Sequence, residues 1–194
     1  MKARCVRVLA ISGALLLTFT IAGGPVSQAA SAGSHCAYRL DPVSYDPGSR
    51  TVSADLVLIG CYDTFAESLA AGSDGAIQVS GSTAPGQLTD AMVGESTTFA
   101  GDDTLIGTEW ASVGYGGSSV SYYAPDSCAG TNYAVAYVGD TWNDQFASGK
   151  GFGGCDTNRK FVHSNFGGTV LTCTPNCNDY GALRNEVSSL KWRP

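Results

Sequence analysis

The chain has 194 residues, of which 14% are charged and 25 are glycine, with 11 basic side chains against 17 acidic ones. A chain of this length can bury one good core or two small ones. The acidic balance excludes the basic stripe that nucleic acid or anionic lipid requires, so we expect neither as a partner, whereas a cation is compatible with the surface.

Residues 1–30 have the pattern of a secretory signal peptide. Three basic residues precede an apolar stretch from Val8 to Ala22, and small residues follow it. This stretch is short for a membrane span, so we expect cleavage after Ala29 or Ala32 rather than a retained anchor. Cleavage removes three of the 11 basic residues and leaves a net charge of 8 − 17 = −9. We expect an extracellular monomer that has no membrane contact after cleavage.

Six cysteines remain once Cys5 of the leader is set aside. An even number in an exported chain indicates disulfides, and no Cys/His spacing favours a zinc site. The sequence leaves several connectivities open. We predict local pairing, because each pair then flanks one hairpin-sized loop: Cys36 with Cys61, Cys128 with Cys155, and Cys173 with Cys177.

Residues 31–103 predict a β-rich accessory region with one short helix. The run Thr51–Ile59 is rich in β-branched residues and follows a turn signal. Thr64 and Glu67 have the spacing of a capping box, and Gly72 can end the helix that they begin. The region is interpreted as a small subdomain or as extra strands added to the part of the chain that follows.

Two sequence phrases are repeated in the C-terminal half. The first reads aromatic, four residues, aromatic, one residue, glycine, and it begins at Trp110 and again at Phe161. A second phrase follows each copy, at 143–148 and at 184–189. Two ordered signals that recur together indicate a duplicated structural unit. The first phrase predicts a folded β-hairpin whose glycine has a positive φ or approaches an aromatic ring too closely for a Cβ.

At these residues the chain resembles the βγ-crystallin family, whose Greek key motifs carry both phrases. The resemblance covers residues 104–194 and implies an all-β fold, a βγ-crystallin-like double Greek key sandwich. Residues 31–103 would then be an N-terminal β-rich extension of it. Some secreted microbial peptidase inhibitors are similar to this fold.

The resemblance also implies calcium as a cofactor. In the family, each of two ions lies between the motifs and takes the second residue of one phrase and the fifth-position hydroxyl of the other. Carried over, one site combines Asp144 with Ser188. The other combines Asn185 with Ala147, which has no hydroxyl, and Arg184 stands where the pattern has Asn or Asp. One calcium site is therefore expected, with candidate ligands Asp144, Ser188, Asn143, Asn185 and Ser148. The alternative is that both phrases form structural turns without an ion.

The sequence offers no support for an enzyme. No catalytic motif is present, and the spacing of Asp102, Asp103 and Glu109 is unspecific for a carboxylate pair. We therefore predict a secreted, disulfide-stabilised, crystallin-like module that binds one calcium ion between its motifs. The alternative function is a proteinaceous peptidase inhibitor that binds an extracellular peptidase through an exposed loop at Gly149–Asp156.

The three tryptophans allow two interpretations. They could form a sugar-stacking surface, but Trp110 belongs to a repeated phrase and Trp192 ends a predicted strand. We therefore expect all three, including Trp142, to pack in the core.

Overall fold

The computed structural model describes residues 34–94 and 103–194. The predicted signal peptide lies outside these residues. The strands are β1 His35–Asp46, β2 Thr51–Tyr62, β3 Thr104–Ser112, β4 Gly116–Ala124, β5 Asn132–Val135, β6 Ser148–Gly151, β7 Thr157–Phe161, β8 Val170–Cys173 and β9 Ser189–Arg193. The α-helices are α1 Phe65–Gly72 and α2 Asp90–Val93, and short 3-10 helices lie at Pro85–Gln87, Val113–Tyr115, Ser164–Phe166 and Gly181–Leu183. The protein is therefore mostly β, as the sequence predicts.

Strand exchange joins the two repeated motifs. The first motif supplies β3, β4, β5 and β6, and the second supplies β7, β8 and β9. Strand β5 leaves its own motif and pairs with β9, next to β7 and β8. In return, Cys177 of the second motif forms a β-bridge with Gly149 in β6. Each motif thus contributes to the layer of the other, which is the arrangement of a double Greek key sandwich, and the predicted fold class is confirmed.

The N-terminal hairpin β1–β2 lies between the two motif sheets. Strand β1 pairs in parallel with β4, and β2 pairs in parallel with β5, which gives the sheet order β6-β3-β4-β1-β2-β5-β9-β7-β8. The hairpin therefore adds strands to the crystallin-like core, one of the two arrangements left open by the sequence. The proposed division between residues 103 and 104 stays a prediction.

Helix α1 begins as its sequence predicts. The Thr64 side chain accepts a hydrogen bond from the Glu67 amide at 3.2 Å, and Glu67 Oε2 accepts one from the Thr64 amide at 3.0 Å. These reciprocal bonds satisfy two amides that the first helical turn leaves without partners. The helix buries Phe65 and Leu69, which places it against β1, β2 and β4. None of the helices in the described ranges is long and apolar enough to cross a membrane.

The three predicted disulfides are all present. Cys36 pairs with Cys61 across β1 and β2, Cys128 with Cys155, and Cys173 with Cys177. The first bond fixes the N-terminal hairpin, and the other two fix loops of the motifs. A small β protein that has many turns gains stability from such links, because they restrict its unfolded chain.

The tryptophans pack in the core, as predicted. Trp110 and Trp192 have no exposed surface, and Trp142 is 5% exposed. Trp192 and Trp142 belong to the cluster between the motif sheets, whereas Trp110 packs with the helix residues Phe65 and Leu69 in a second cluster. The second cluster is thus shared between the first motif and the N-terminal region.

Candidate functional site

The two repeated phrases form hairpins of the same backbone geometry. Tyr115 and Phe166, the second aromatics, both have a positive φ, at 65° and 63°. The following glycines, Gly117 and Gly168, both have φ of 74°. The predicted positive φ is confirmed. A Cβ at Gly117 would come within 2.8 Å of Ser112 Oγ, and one at Gly168 within 2.8 Å of the His163 ring, so the side chain approached is not the motif aromatic.

A serine from the second phrase closes each hairpin. Ser148 Oγ accepts a bond from the Tyr115 amide at 3.0 Å and donates to the Ser112 carbonyl at 2.7 Å. Ser189 makes the equivalent pair of bonds, with the Phe166 amide at 3.0 Å and the His163 carbonyl at 2.7 Å. Ser148 is fully buried. This bonding gives Ser148 a structural role in the hairpin, and its predicted role as a metal ligand stays untested.

The two second phrases meet at a junction between the motifs. The Asp144 amide donates to the Val187 carbonyl at 3.2 Å, and the Asn185 amide donates to the Phe146 carbonyl at 2.9 Å. Asp144 and Asn185 both have a left-handed backbone, with φ of 59° and 57°. The structure therefore brings Asp144 next to the residue before Ser188, and Asn185 next to the residue before Ala147. This is the cross-motif pairing that the resemblance implies.

Three residues on the Asp144 side of the junction carry side-chain oxygen atoms. Asp144 is exposed, and its Oδ2 accepts a hydrogen bond from Asn143 Nδ2 at 2.8 Å. Asn143 Oδ1 is buried and has no hydrogen-bond partner in the described part of the chain. Ser188 is 7% exposed, and its hydroxyl donates to the Val162 carbonyl at 2.8 Å, which leaves its lone pairs available. These hard oxygen atoms are of the kind that calcium selects.

The Asp144 side of the junction carries little negative charge. Within residues 34–94 and 103–194, no three His, Cys, Asp or Glu side chains form a metal-binding cluster. A calcium ion here would have one carboxylate, from Asp144, and would otherwise use amide, hydroxyl and backbone oxygens. The residues fit a single weak site better than a high-affinity one, because calcium affinity depends on the number of charged ligands.

The Asn185 side of the junction differs in chemistry. Ala147, which is buried, offers no hydroxyl. Arg184 lies beside Asn185, and its Nε donates to Asp179 Oδ1 at 2.6 Å. The hydrogen bond from Arg184 lowers the pKa of the Asp179 carboxyl to about 2. Arg184 is therefore held by a carboxylate of its own motif, and this side has neither the hydroxyl nor the acidic residue of the pattern.

The loop predicted for peptidase inhibition is only partly exposed. Gly149, Lys150 and Gly151 belong to β6 and are buried, as is Phe152. Strand β6 is held on one side by β3 and on the other by the bridge to Cys177. Strand exchange between the motifs thus covers the first half of the segment Gly149–Asp156, whereas Gly154 and Asp156 are exposed, and the inhibitor role stays a prediction.

A buried polar cluster lies between the two motifs. Lys160 Nζ forms an ion pair with Glu109 Oε1, and the Tyr180 hydroxyl donates to Glu109 Oε2. The side chains of Lys160 and Glu109 have no exposed surface. Burial raises the pKa of Glu109 and lowers the pKa of Lys160, since each loses the water that stabilises its charged form. Sequence reasoning considered Glu109 only as a carboxylate with unspecific spacing and missed its partner.

The repeat itself held the signal for this cluster. Glu109 directly precedes Trp110, and Lys160 directly precedes Phe161, so the two residues occupy the same position in the two copies. Equivalent positions in two motifs related by a pseudo-twofold axis meet where they lie near that axis. Opposite charges at equivalent, inward-facing positions were a readable sign of an internal pair.

The paired hairpins, the crossed phrases and the exchanged strands decide the fold of residues 104–194. This region has a βγ-crystallin-like fold. No protein-family model matches the sequence, and no curated protein matches it.

Three solved structures are similar to this chain over 45% of its length. A βγ-crystallin from an archaeon is 22% identical, with a TM-score of 0.34, over 45% of this chain and 96% of that one. The N-terminal domain of protein S is 19% identical, with a TM-score of 0.34, over 45% and 93%. A mutant βγ-crystallin domain from Clostridium beijerinckii is 22% identical, with a TM-score of 0.33, over 45% and 97%. At these TM-scores the similarity carries no argument of its own, and the crystallin-like fold is argued from the motif geometry above.

Proposed function

We propose that the protein is a secreted, disulfide-stabilised structural module that binds one calcium ion at the junction of its two motifs. The observation that carries the proposal is Asn143 Oδ1, which belongs to the residue before the exposed Asp144 and is buried without a hydrogen-bond partner among the described residues. A buried acceptor without a partner is costly, and a cation beside it would remove that cost. Export is supported by three disulfides, which are typical of oxidising compartments.

The ligands would come from both motifs. Asn143 and Asp144 belong to the first motif, and Ser188 belongs to the second. An ion held by all three would add an electrostatic link to the backbone bonds that already cross the junction. Its effect would be on stability, since a ligand that binds only the folded state favours that state.

Calorimetric titration of the full mature protein with calcium tests the proposal. We expect one site per chain and a rise in melting temperature that corresponds to about 2.7 kcal/mol when free calcium exceeds Kd a hundredfold. Asp144→Ala should abolish both signals because it removes the only carboxylate at the site. A wild-type melting temperature that does not respond to calcium or to chelator would refute the proposal.

Asn185→Ala is the matched control. Asn185 occupies the equivalent position on the other side of the junction and has the same backbone conformation. Its partner position is Ala147, so this side has no hydroxyl to offer. We expect Asn185→Ala to leave the calcium response nearly unchanged. Loss of the response in this variant but not in Asp144→Ala would place the ion on the wrong side for our proposal.

Inhibition of an extracellular peptidase stays a prediction from the sequence. Within the candidate segment Gly149–Asp156, the exposed residues are Gly154 and Asp156, so a contact with a peptidase would have to use these two. A panel of extracellular peptidases tests this role directly, and light scattering tests the expected monomer.

A further inference from the structure

The Glu109–Lys160 pair occupies an unusual environment for two charged groups. Lys160 Nζ has Glu109 Oε1 as its one hydrogen-bond acceptor among the described residues. Otherwise the amine faces aromatic rings, with the Tyr180 centroid at 5.9 Å and the Trp192 centroid at 5.8 Å. An ammonium group has three donors, so one acceptor satisfies a neutral amine better than a charged one.

Burial favours the neutral forms of both partners. Moving a carboxylate and an ammonium out of water costs several kcal/mol for each ion, and their attraction often fails to offset this cost. Burial raises the pKa of Glu109 and lowers the pKa of Lys160, which weakens the preference of each group for its charged form, although the charge of the partner acts in the opposite direction. A free amine in contact with a carboxylic acid, away from water, has the composition of an amide before condensation.

We propose that Lys160 and Glu109 form an intramolecular amide bond that joins the two motifs. Lys160 Nζ adds through its lone pair to Glu109 Cδ, and the new bond is C–N. The Cδ–Oε1 bond breaks, and Oε1 leaves as water with its own proton and one proton from Nζ. The proton that neutralises Lys160 passes to Glu109 Oε1 before the addition, and it is the proton that Oε1 carries away. Of the two protons then left on Nζ, one leaves in the water molecule and the other remains as the amide N–H. No oxidant, reductant or activated co-reactant is required.

Tyr180 is placed to act as the catalytic residue of this step. Its hydroxyl donates to Glu109 Oε2, the oxygen that carries negative charge when the amine adds. A donor at that oxygen stabilises the addition intermediate and afterwards bonds the amide carbonyl. Burial raises the pKa of Tyr180 well above its ordinary value, so the phenol keeps its proton.

The surrounding backbone leaves room for these three side chains and excludes water. Gly149 in β6 lies opposite Glu109 in β3, and a Cβ at Gly149 would overlap both the Tyr180 hydroxyl and Glu109 Oε2. Tyr180 is itself held in place by the bond from its amide to the Ala147 carbonyl, at 2.8 Å. Release of a water molecule from this enclosed space favours the amide over its precursors.

The amide would have a function distinct from that of the calcium ion. It would link residues 51 positions apart in sequence, one from each motif, and it would not be broken by chelators or reducing agents. One disulfide lies within the N-terminal hairpin, and the other two link loops of the motifs. The amide, in contrast, would join β3 directly to β7. Formation of the amide therefore does not depend on calcium binding.

Intact-mass measurement of the secreted protein, fully reduced and denatured, tests the proposal. We expect a mass lower by one water molecule than the mass calculated from the sequence between its determined termini. Peptide mapping should give one branched peptide that joins the segments of Glu109 and Lys160. A folded wild-type protein that has the full calculated mass, with Glu109 and Lys160 in separate peptides, would overturn the proposal.

Three variants assign the reaction to named groups. Lys160→Met removes the amine and keeps an apolar chain of similar length, so its mass should equal the calculated value. Lys191→Met, on the neighbouring strand β9, is the matched control and should still lose one water. Tyr180→Phe keeps the ring and should lower the crosslinked fraction severalfold. Complete crosslinking in Tyr180→Phe would refute the role of that residue, and water loss in Lys160→Met would refute the assigned site. The wild-type measurement requires no variant, so poor folding of any variant leaves the test intact.

Discussion

The two folded hairpins have nearly the same internal geometry but different surroundings. The ring centroids of Trp110 and Tyr115 are 5.3 Å apart at an interplanar angle of 69°, and those of Phe161 and Phe166 are 5.6 Å apart at 70°. A lysine ammonium lies over the second ring of each hairpin. Lys150 Nζ is 4.6 Å from the Tyr115 centroid, and Lys191 Nζ, at the equivalent position of the second motif, is 4.0 Å from the Phe166 centroid.

The N-terminal region covers the first hairpin. Phe65 of α1 packs on Trp110 with ring centroids 5.9 Å apart. Lys150 Nζ donates to the carbonyls of Gly86 and Leu88 at 2.6 Å and 2.9 Å. In the second motif, Lys191 is only partly buried and lies near the charges of two arginines. The same phrase thus produces the same local fold, while the contribution of each residue to the free energy of unfolding depends on what packs against it.

Removal of the residues before Asp103 should produce the largest difference in stability between the two motifs. The truncated chain, with its remaining disulfides formed, loses the strand partners of β4 and β5 and the helix that covers Trp110. We expect amides of β3 and β4 to lose protection from hydrogen exchange, while β7 and β9 keep theirs. Equal protection from hydrogen exchange in both motifs would show that the N-terminal region does not stabilise the first motif.

Truncation of the first aromatic of each phrase gives the next largest difference. Trp110 is fully buried between the motif and α1, whereas Phe161 is 5% exposed. We expect Trp110→Ala to lower the free energy of unfolding by about 4–5 kcal/mol and Phe161→Ala by about 3 kcal/mol. Chemical denaturation measures both values. A larger loss for Phe161→Ala would contradict the unequal covering described above.

Alanine at the hairpin glycines should affect both motifs alike. Gly117 and Gly168 share a φ of 74°, and a Cβ at either position would meet a neighbouring side chain at 2.8 Å. We expect Gly117→Ala and Gly168→Ala each to cost about 2 kcal/mol. Gly75→Ala is the control, because Gly75 has a φ of 84° and open space around it, so it should cost only about 1 kcal/mol. If Gly75→Ala lowers the melting temperature more than the two hairpin variants do, a collision between the new Cβ and the neighbouring side chain is ruled out as the cause of their loss.

Replacement of the two ring-capping lysines should give the smallest and most unequal pair of effects. Lys150→Met leaves the Gly86 and Leu88 carbonyls without their donor, so we expect a loss of about 1–2 kcal/mol. Lys191→Met removes a cation–ring contact and should cost less than about 1 kcal/mol. Denaturation curves of the two variants measure this difference. Equal losses would indicate that the ring contact, and not the two carbonyl bonds, is the main role of Lys150.

The two aromatic positions of the repeated phrase differ in depth. The second aromatics, Tyr115 and Phe166, are only partly buried. The first aromatics, Trp110 and Phe161, are the buried ones. A repeated pattern marks which residues share a role without revealing the depth at which each one lies.

The sequence by itself determined the features whose causes lie within a short stretch of chain. The capping box of Thr64 and Glu67, the hairpin glycines and the predicted disulfides follow from local spacing. The doubled phrase also determined that two motifs would be paired, and the phrases at 143–148 and 184–189 located their junction. Each of these depends on the backbone conformation of a few neighbouring residues, which the residue types dictate.

Only the tertiary structure decided how separated segments meet. It placed β1–β2 between β4 and β5, where Cys36 lies opposite Val120, and it buried β6 against the bridge to Cys177. It also brought Glu109 against Lys160, where neither side chain has exposed surface. The physical reason is that strand edges, burial and desolvation depend on every element packed around a residue, and no short stretch of sequence contains that information.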